Sequence, residues 1–494
     1  MWGKLRRWVA ALVIVLLTLS MLGVLRLSWL SRLQFVPALL GLSIGVLLFL
    51  FLLTWLTGRS YCSFLCPLGI WQDIVSRLFR RGCMRRYRRL PQWVMLLSRY
   101  LFLSLAVIAY FLHWNIVVSI LDPHTAYARI VHQFVRPLWI PIHNFLASHN
   151  SITGWWMHHQ ECLIQSQIIS LLAIGTLFVL TLMVWAWGRA WCNAVCPVGT
   201  ILGWISRFSL FGIRIDFERC TSCHKCASQC KTGCINVAQG RVDTSRCVVC
   251  LNCLESCPNG AVGYGLRWRK PPIKRSASDI DHSRRHFLFS SLTFAVAAPL
   301  AKAQDIVYET TQGKRWEKKI RTFMPDGRVA AERFWAIMPP ATISRERFHN
   351  HCTSCQLCVV HCPEHILRPA TATEYGPEGL MQPTVSFEQG WCRPECNVCA
   401  EVCPTGAIRL LDIAEKRRDK LGFANFNSRT CVTQVDRVAC DACVRHCPHK
   451  AIEMIEKEGF KVPRINVQHC TGCGACEHYC PASPKAIYVE GLLY

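Results

Sequence analysis

The spacing of cysteine constrains this chain more than any other feature of it. Two runs near the middle read Cys220-x2-Cys223-x2-Cys226-x3-Cys230 and Cys247-x2-Cys250-x2-Cys253-x3-Cys257-Pro258. This is the spacing that wraps a tight loop around a cubane 4Fe-4S cluster, with three thiolates from one loop and the fourth Cys of each run serving the other cluster. The pattern pairs Cys220, Cys223 and Cys226 with Cys257, and Cys247, Cys250 and Cys253 with Cys230. Structural zinc prefers two separated C-x2-C pairs and leaves the x3 step unexplained. A disulfide framework is the other rival, and the arrangement of the 31 cysteines in blocks argues against it. Cys220-Thr-Ser-Cys223-His224 also matches a site for covalent haem, but the cluster spacing already claims both cysteines, so no haem is expected. Lys231 stands where proline usually follows a fourth ligand, and Cys234 is an additional thiol, read here as structural with ligand substitution as the alternative.

Four further blocks follow towards the C-terminus. Cys352, Cys355, Cys358 and Cys362 open the series, and Cys470, Cys473, Cys476 and Cys480 close it, both with the regular spacing. Between them, Cys392-x3-Cys396-x2-Cys399-x3-Cys403 lengthens the first step, and Cys431-x8-Cys440-x2-Cys443-x3-Cys447 lengthens it further. Insertions between ligands are tolerated while four thiolates still converge, so these blocks predict four more clusters, six in all, using 24 cysteines. Their pairing is open: neighbouring blocks can exchange fourth ligands, or the first can pair with the fourth and the second with the third.

The N-terminal half reads differently. Apolar stretches at residues 8–25, 37–56, 93–118 and 164–187 approach the length of a bilayer crossing. Residues 59–89 hold eight Arg against Asp73 alone, whereas residues 119–165 hold two Arg against two acids. That asymmetry places the first of these loops, and the N-terminus with Lys4, Arg6 and Arg7, in the cytoplasm. The excess of 56 Lys and Arg over 31 Asp and Glu is then mainly topological, and no nucleic-acid role is expected. A repeat sits at the ends of two of these stretches: Gly58-Arg59-x2-Cys62-x3-Cys66-Pro67-x-Gly69 matches Gly188-Arg189-x2-Cys192-x3-Cys196-Pro197-x-Gly199. Cys62, Cys66, Cys192 and Cys196 are therefore candidate redox or metal thiols, as dithiols or as one shared site. The alternative is that they only pack between helices.

A segment resembling a twin-arginine export signal lies in mid-chain. Ser283 to Leu288, with Arg284 and Arg285, precedes an apolar run to Leu300 and an A-x-A ending at Ala303. The expected organisation is a four-helix membrane domain at 1–210, a two-cluster ferredoxin at 211–266 and a basic linker with signal and fifth membrane helix at 267–303. A further linker at 304–347 and a four-cluster ferredoxin at 348–494 complete it. The fold class is thus multidomain: an all-α transmembrane bundle with α+β ferredoxin-like 4Fe-4S modules. Cleavage after Ala303 is the alternative to a retained fifth helix.

The doubled C-x3-C-P with its trailing two-cluster ferredoxin makes residues 1 to about 266 resemble the membrane component of the periplasmic nitrate reductase quinol dehydrogenase and its methylamine-utilisation relatives. The Cys431-x8-Cys440 step makes residues 282–494 resemble that component's exported four-cluster partner, although the Cys392-x3-Cys396 step departs from its pattern. The resemblance implies two proteins fused into one chain in the inner membrane of a bacterium, the first ferredoxin cytoplasmic and the second periplasmic. It further implies that quinol is oxidised and that electrons pass to a periplasmic reductase or c-type cytochrome. A maturation factor for a periplasmic enzyme, or a conduit to another oxyanion reductase, remains open. For the quinol protons, His113, His124, His132, His158 and His159 are candidate acceptors.

Overall fold

The computed structural model describes residues 2–80, 91–149, 167–216, 218–267, 333–376, 379–457 and 459–492. The twin-arginine-like segment, most of both linkers, His158 and His159 lie outside the described residues. The chain divides into two compact units. One takes residues 1–20, 29–133 and 170–304, and the other residues 21–28, 134–169 and 305–494.

The helices of the N-terminal half are α1 (Trp2–Met21), α2 (Ser28–Arg32), α3 (Phe35–Leu40), α4 (Ile44–Thr57), α5 (Tyr61–Phe64), α6 (Pro67–Arg80), α7 (Gln92–Phe111), α8 (Asn115–Leu121), α9 (Pro123–Ile130), α10 (Arg136–His149), α11 (Gln167–Trp187) and α12 (Pro197–Ile205). Of the four expected crossings, two meet the test of length and apolarity among the described residues: Trp93–Phe111 and Ile169–Trp187, within α7 and α11. The expectation of four spanning helices is corrected on this count. The stretch at 37–56 breaks where Gly41 caps α3 and Leu42 takes a left-handed φ of 49°, which leaves α4 as a 14-residue apolar helix. The first stretch does form a long helix, but α1 carries Lys4, Arg6 and Arg7 in its first two turns.

The two sequence repeats fold alike. Gly58 and Gly188 end α4 and α11 with φ of 79° and 69°, the left-handed stop that glycine permits. Each is followed by a short helical turn, α5 or residues Trp191–Val195, closed by Cys66 N–H to the Tyr61 carbonyl at 3.0 Å and Cys196 N–H to the Trp191 carbonyl at 2.9 Å. Pro67 and Pro197 then start α6 and α12, where proline's missing N–H costs nothing. A short reversal at His113 (φ 57°) sends α8 back along α7, and α9 begins behind an Asp122 cap that accepts from the His124 and Thr125 N–H groups.

The same unit contains the first ferredoxin. Strand β1 (Phe211–Ile215) pairs antiparallel with β4 (Val262–Leu266), and β2 (Ile235–Asn236) with β3 (Arg241–Val242). Between them lie the cysteine loops and two short helices, α13 (Lys225–Ser228) and α14 (Asn252–Ser256). Cys226, Cys230, Cys234 and Cys253 belong to its core with Ile213, Ile215, Val249 and Leu251. So small a core suits a domain whose folding energy comes largely from bound metal.

The other unit repeats this economy. Its antiparallel pairs are β5 (Leu367–Pro369) with β6 (Pro383–Val385), β7 (Gly422–Phe426) with β10 (Ile487–Gly491), and β8 (Ile452–Lys457) with β9 (Phe460–Ile465). Helices of four to seven residues flank its cysteine loops.

Candidate functional site

The cysteine loops share a backbone device. In the four regular C-x2-C-x2-C loops the residues on either side of the middle Cys are left-handed: Ser222 and His224, Val249 and Leu251, Ser354 and Gln356, Gly472 and Gly474. Alternating handedness turns successive N–H groups towards one side, a concavity that holds anions and many iron–sulfur centres. The irregular loops lack it after the equivalent Cys, with Asn397 at φ −119° and Asp441 at φ −134°.

The thiols gather in groups of four. One cavity is lined by Cys230, Cys247, Cys250 and Cys253, a second by Cys431, Cys440, Cys443 and Cys480, and a third by Cys447, Cys470, Cys473 and Cys476. Cys226 has Cys220, Cys223 and Cys257 as electrostatic neighbours. Cys358 has Cys355, Cys352 and Cys403 as neighbours, with Cys399 after them, while Cys399 has Cys392, Cys362 and Cys396. Neighbouring blocks thus exchange their fourth thiols, which resolves the pairing that spacing left open. Among the described residues no three His, Cys, Asp or Glu side chains are placed to hold a single metal ion. A four-iron cube is larger than one ion, and the apolar cavities and the alternating-handed loops fit the cube. Polar contacts reach the sulfurs as well, from Ala451 N–H to Cys447 Sγ at 3.2 Å and from Lys416 Nζ to Cys392 Sγ at 3.6 Å.

Cys234 is not remote from this chemistry. Its Sγ is 3.5 Å from Cys230 Sγ, it lines the same cavity, and it also contacts Cys247.

Cys62, Cys66, Cys192 and Cys196 are all buried and all neighbours of one another. Two arginines hold the chamber by reaching across the repeat. Arg59 donates to Asn193 Oδ1 at 2.6 Å and to the Cys192 carbonyl at 2.9 Å. Arg189 donates to the Cys62 carbonyl at 3.0 Å and the Gly69 carbonyl at 2.8 Å. Gln72 Nε2 lies 3.5 Å from Cys192 Sγ. Burial pushes the Cys192 thiol up to about 11, against the lowering effect of Arg189, and raises Cys66 and Cys196 as well.

Asp73 ties this chamber to the first ferredoxin. Its buried carboxylate meets Lys231 Nζ at 2.7 Å, Arg189 at 2.8 Å and Arg6 at 3.0 Å. Burial alone would raise its pKa, but these three cations outweigh burial and hold the carboxyl well below the usual range. Lys231 follows Cys230 directly, and Arg59 donates to the Ser245 carbonyl at 2.9 Å, two residues before Cys247. The unusual Lys after the fourth Cys therefore has a partner. Asp73 was visible in sequence as the sole acid among eight arginines, but charge counting treats it as a dilution of the basic loop rather than its anchor. Arg6, Arg59 and Arg189 likewise serve as buried structural cations. Of the histidines, His124 is fully buried and both of its ring nitrogens lack hydrogen-bond partners, whereas His113 sits at the α7–α8 reversal.

Comparison with known proteins finds 4Fe-4S families in both halves of the chain. The family described as "4Fe-4S dicluster domain" matches residues 436–483, and the one described as "4Fe-4S binding domain" matches residues 39–83 and 168–216, over the two C-x3-C-P repeats. The methylamine utilization ferredoxin-type protein MauM of Methylobacillus flagellatus is 31% identical over 160 residues, which cover 31% of this chain and 67% of that protein. The ferredoxin-type protein NapG of Escherichia coli is 31% identical over 32% of this chain and 71% of its own length. NapF of the same organism is 31% identical over 32% of this chain and 85% of its own. The chain belongs to the MauM, NapG and NapF family of ferredoxin-type proteins. It is accordingly an iron–sulfur electron-transfer protein, and this ferredoxin-type chain is about three times as long as the region it shares with each relative. No solved structure matches it.

Proposed function

We propose that this ferredoxin-type chain is the membrane-bound conduit of a quinol dehydrogenase, passing electrons from the quinone pool to a periplasmic reductase such as nitrate reductase or to a c-type cytochrome. The observation that carries this reading is the construction of one unit: the apolar helices α7 and α11, the four-thiol chamber and the first ferredoxin are packed together and cross-linked by Asp73, Arg59 and Arg189. Six 4Fe-4S clusters held by the 24 cysteines would supply one-electron acceptance. The quinol gives up two electrons and two protons, the protons passing to water, and the four buried thiols serve as a redox site beside the first ferredoxin.

On this reading α7 and α11 cross the inner membrane of a bacterium. The first ferredoxin is cytoplasmic. The second is periplasmic, the mid-chain twin-arginine-like segment being the former N-terminus of a fused partner. A maturation role for a periplasmic enzyme, in which the clusters deliver electrons during cofactor assembly, is the second reading.

The test is to purify the full chain anaerobically in detergent, add a reduced quinol analogue and follow the clusters by absorbance and electron paramagnetic resonance. Rapid reduction is expected. Clusters that stay oxidised with quinol yet accept electrons from dithionite would overturn the quinol reading in favour of maturation.

A further inference from the structure

A cavity of about 690 Å³ lies where the start of α7 and the end of α11 meet the first ferredoxin, within one compact unit. Its lining is cationic. Arg189 and Lys231 are its buried cations, Arg246 is half-buried, and Arg241 is exposed at the start of β3. Asp243 is the one carboxylate among the described lining residues, and it pairs with Arg246 at 2.7 Å. The buried side is no better balanced, because Arg189, Lys231 and Arg6 share the single carboxylate of Asp73 at 2.8, 2.7 and 3.0 Å. Arg59, buried behind Asn193, adds a further cation held by neutral acceptors, the Asn193 side chain and the Ser245 and Cys192 carbonyls. Leaving Arg241 aside, five cations therefore share two carboxylates.

Fixed positive charge held partly out of water is costly until an anion meets it. The donors indicate which anion. Arg246 gives Nε to Asp243 and makes a long contact of 3.5 Å to the Gly233 carbonyl, which leaves further N–H donors of its planar fork, the geometry that matches phosphate oxygens. Asn236 and Gln239 are exposed at the mouth, where Asn236 Nδ2 donates to Gln239 Oε1 at 2.8 Å and the Gln239 amide keeps its own N–H donors. The volume is within the roughly 300–1,000 Å³ of small-molecule sites, enough for a phosphate with an organic substituent. Trp187 ends a membrane-length helix, the depth of lipid head groups, and basic pockets at such helix ends take anionic ones. Cys230, Thr232, Cys234, Ile235 and Val242 also line the smaller cavity of Cys230, Cys247, Cys250 and Cys253. A bound anion would thus be one layer of side chains from a cluster, and its charge would lower the potential of that cluster, since reduction adds negative charge.

We propose that this cavity binds a phosphate ester, supplied either by the head group of an anionic phospholipid or by a soluble phosphate compound. The lipid source rests on the membrane crossing proposed above, whereas the site itself does not depend on what reduces the clusters. The test uses the full cluster-loaded chain in neutral detergent, titrated by calorimetry with short-chain phosphatidylglycerol, short-chain phosphatidylcholine and glycerol 3-phosphate. One equivalent of phosphatidylglycerol or glycerol 3-phosphate should bind, and a redox titration should show a lower potential for the nearer cluster when it does. Phosphatidylglycerol binding about tenfold or more tighter than glycerol 3-phosphate assigns the site to a lipid, and comparable affinities assign it to a soluble compound. Arg246→Gln removes a donor, and Gln239→Glu keeps the acceptor for Asn236 while placing a carboxylate at the exposed mouth. Each should weaken binding by about tenfold or more with wild-type iron content. Arg219→Gln, which removes an exposed charge paired with Asp216 outside the cavity, should leave binding unchanged. Equal binding of phosphatidylcholine, equal weakening by Arg219→Gln, or full affinity in Gln239→Glu would overturn the site. So would a Gln239→Glu chain whose cluster potential shifts while the wild type binds none of the three compounds, because the cations would then serve the cluster alone.

Discussion

Asp73 meets three buried cations in the first unit. A carboxylate facing three buried cations cannot be removed without leaving charge uncompensated, which in buried pairs costs about 3–5 kcal/mol. Asp73→Asn should therefore lower the thermal midpoint of this unit at neutral pH, measured with clusters intact. Because the folded-state pKa is depressed, the stabilisation is complete above the ordinary value near 4 and is lost as pH falls through the lower folded value. The gap between wild type and variant should narrow below about pH 4. Cys234 makes a second prediction at this scale. A thiol 3.5 Å from Cys230 Sγ can donate S–H to a ligand thiolate, and donation favours the more negative, reduced cluster. Cys234→Ala should lower that cluster's potential by about 40 mV, the equivalent of a hydrogen bond worth ~1 kcal/mol, with iron content unchanged. A redox titration followed by resonance would read it, and loss of iron would instead make Cys234 a ligand.

The two C-x3-C-P elements depend on glycine for close approach. A Cβ on Gly69 would lie 2.2 Å from the Cys62 carbonyl oxygen, and one on Gly199 would lie 2.1 Å from that of Cys192. Both obstacles are backbone atoms, so the helix must move away from the thiol turn. Gly199→Ala should destabilise the unit by about 1–3 kcal/mol, the usual range for overpacking. Gly175→Ala in α11 meets nothing within 4 Å and is the control, expected to leave stability unchanged or slightly improved. Thermal unfolding of both variants in detergent decides the matter, and equal effects would remove the close-approach argument. At the same scale, the pairing of neighbouring cysteine blocks predicts that Cys403→Ser weakens the cluster of Cys352, Cys355 and Cys358, not that of its own block. Resonance spectra of single-block variants would show which signal is lost.

For the molecule as a whole, the proposed topology makes a prediction that does not depend on quinol chemistry. A C-terminal tag should be cut by protease added outside spheroplasts, while a tag in the Arg-rich segment after α6 should be cut only after lysis. Protection of the C-terminal tag would place both ferredoxins on one side and remove the need for a mid-chain export signal. A C-terminal antibody should find only full-length protein if the segment before Ala303 remains as a helix. A shorter band would instead indicate cleavage.

Spacing alone determined the number of cysteine blocks and the exchange of fourth thiols in the first ferredoxin, because ligands within one loop are set by local chain geometry. The repeated C-x3-C-P motif was legible for the same reason. Tertiary structure decided what lies far apart in sequence: the exchange between neighbouring blocks in the C-terminal half, the meeting of Cys62 and Cys66 with Cys192 and Cys196, and the role of Asp73 towards Lys231, 158 residues away. It also decided that a run such as 37–56 is not one helix, since hydropathy averages over a break that Gly41 and Leu42 impose locally. Composition records that a chain is apolar or basic, but it does not record which buried arginine faces which carbonyl. That depends on how the two repeats pack against each other.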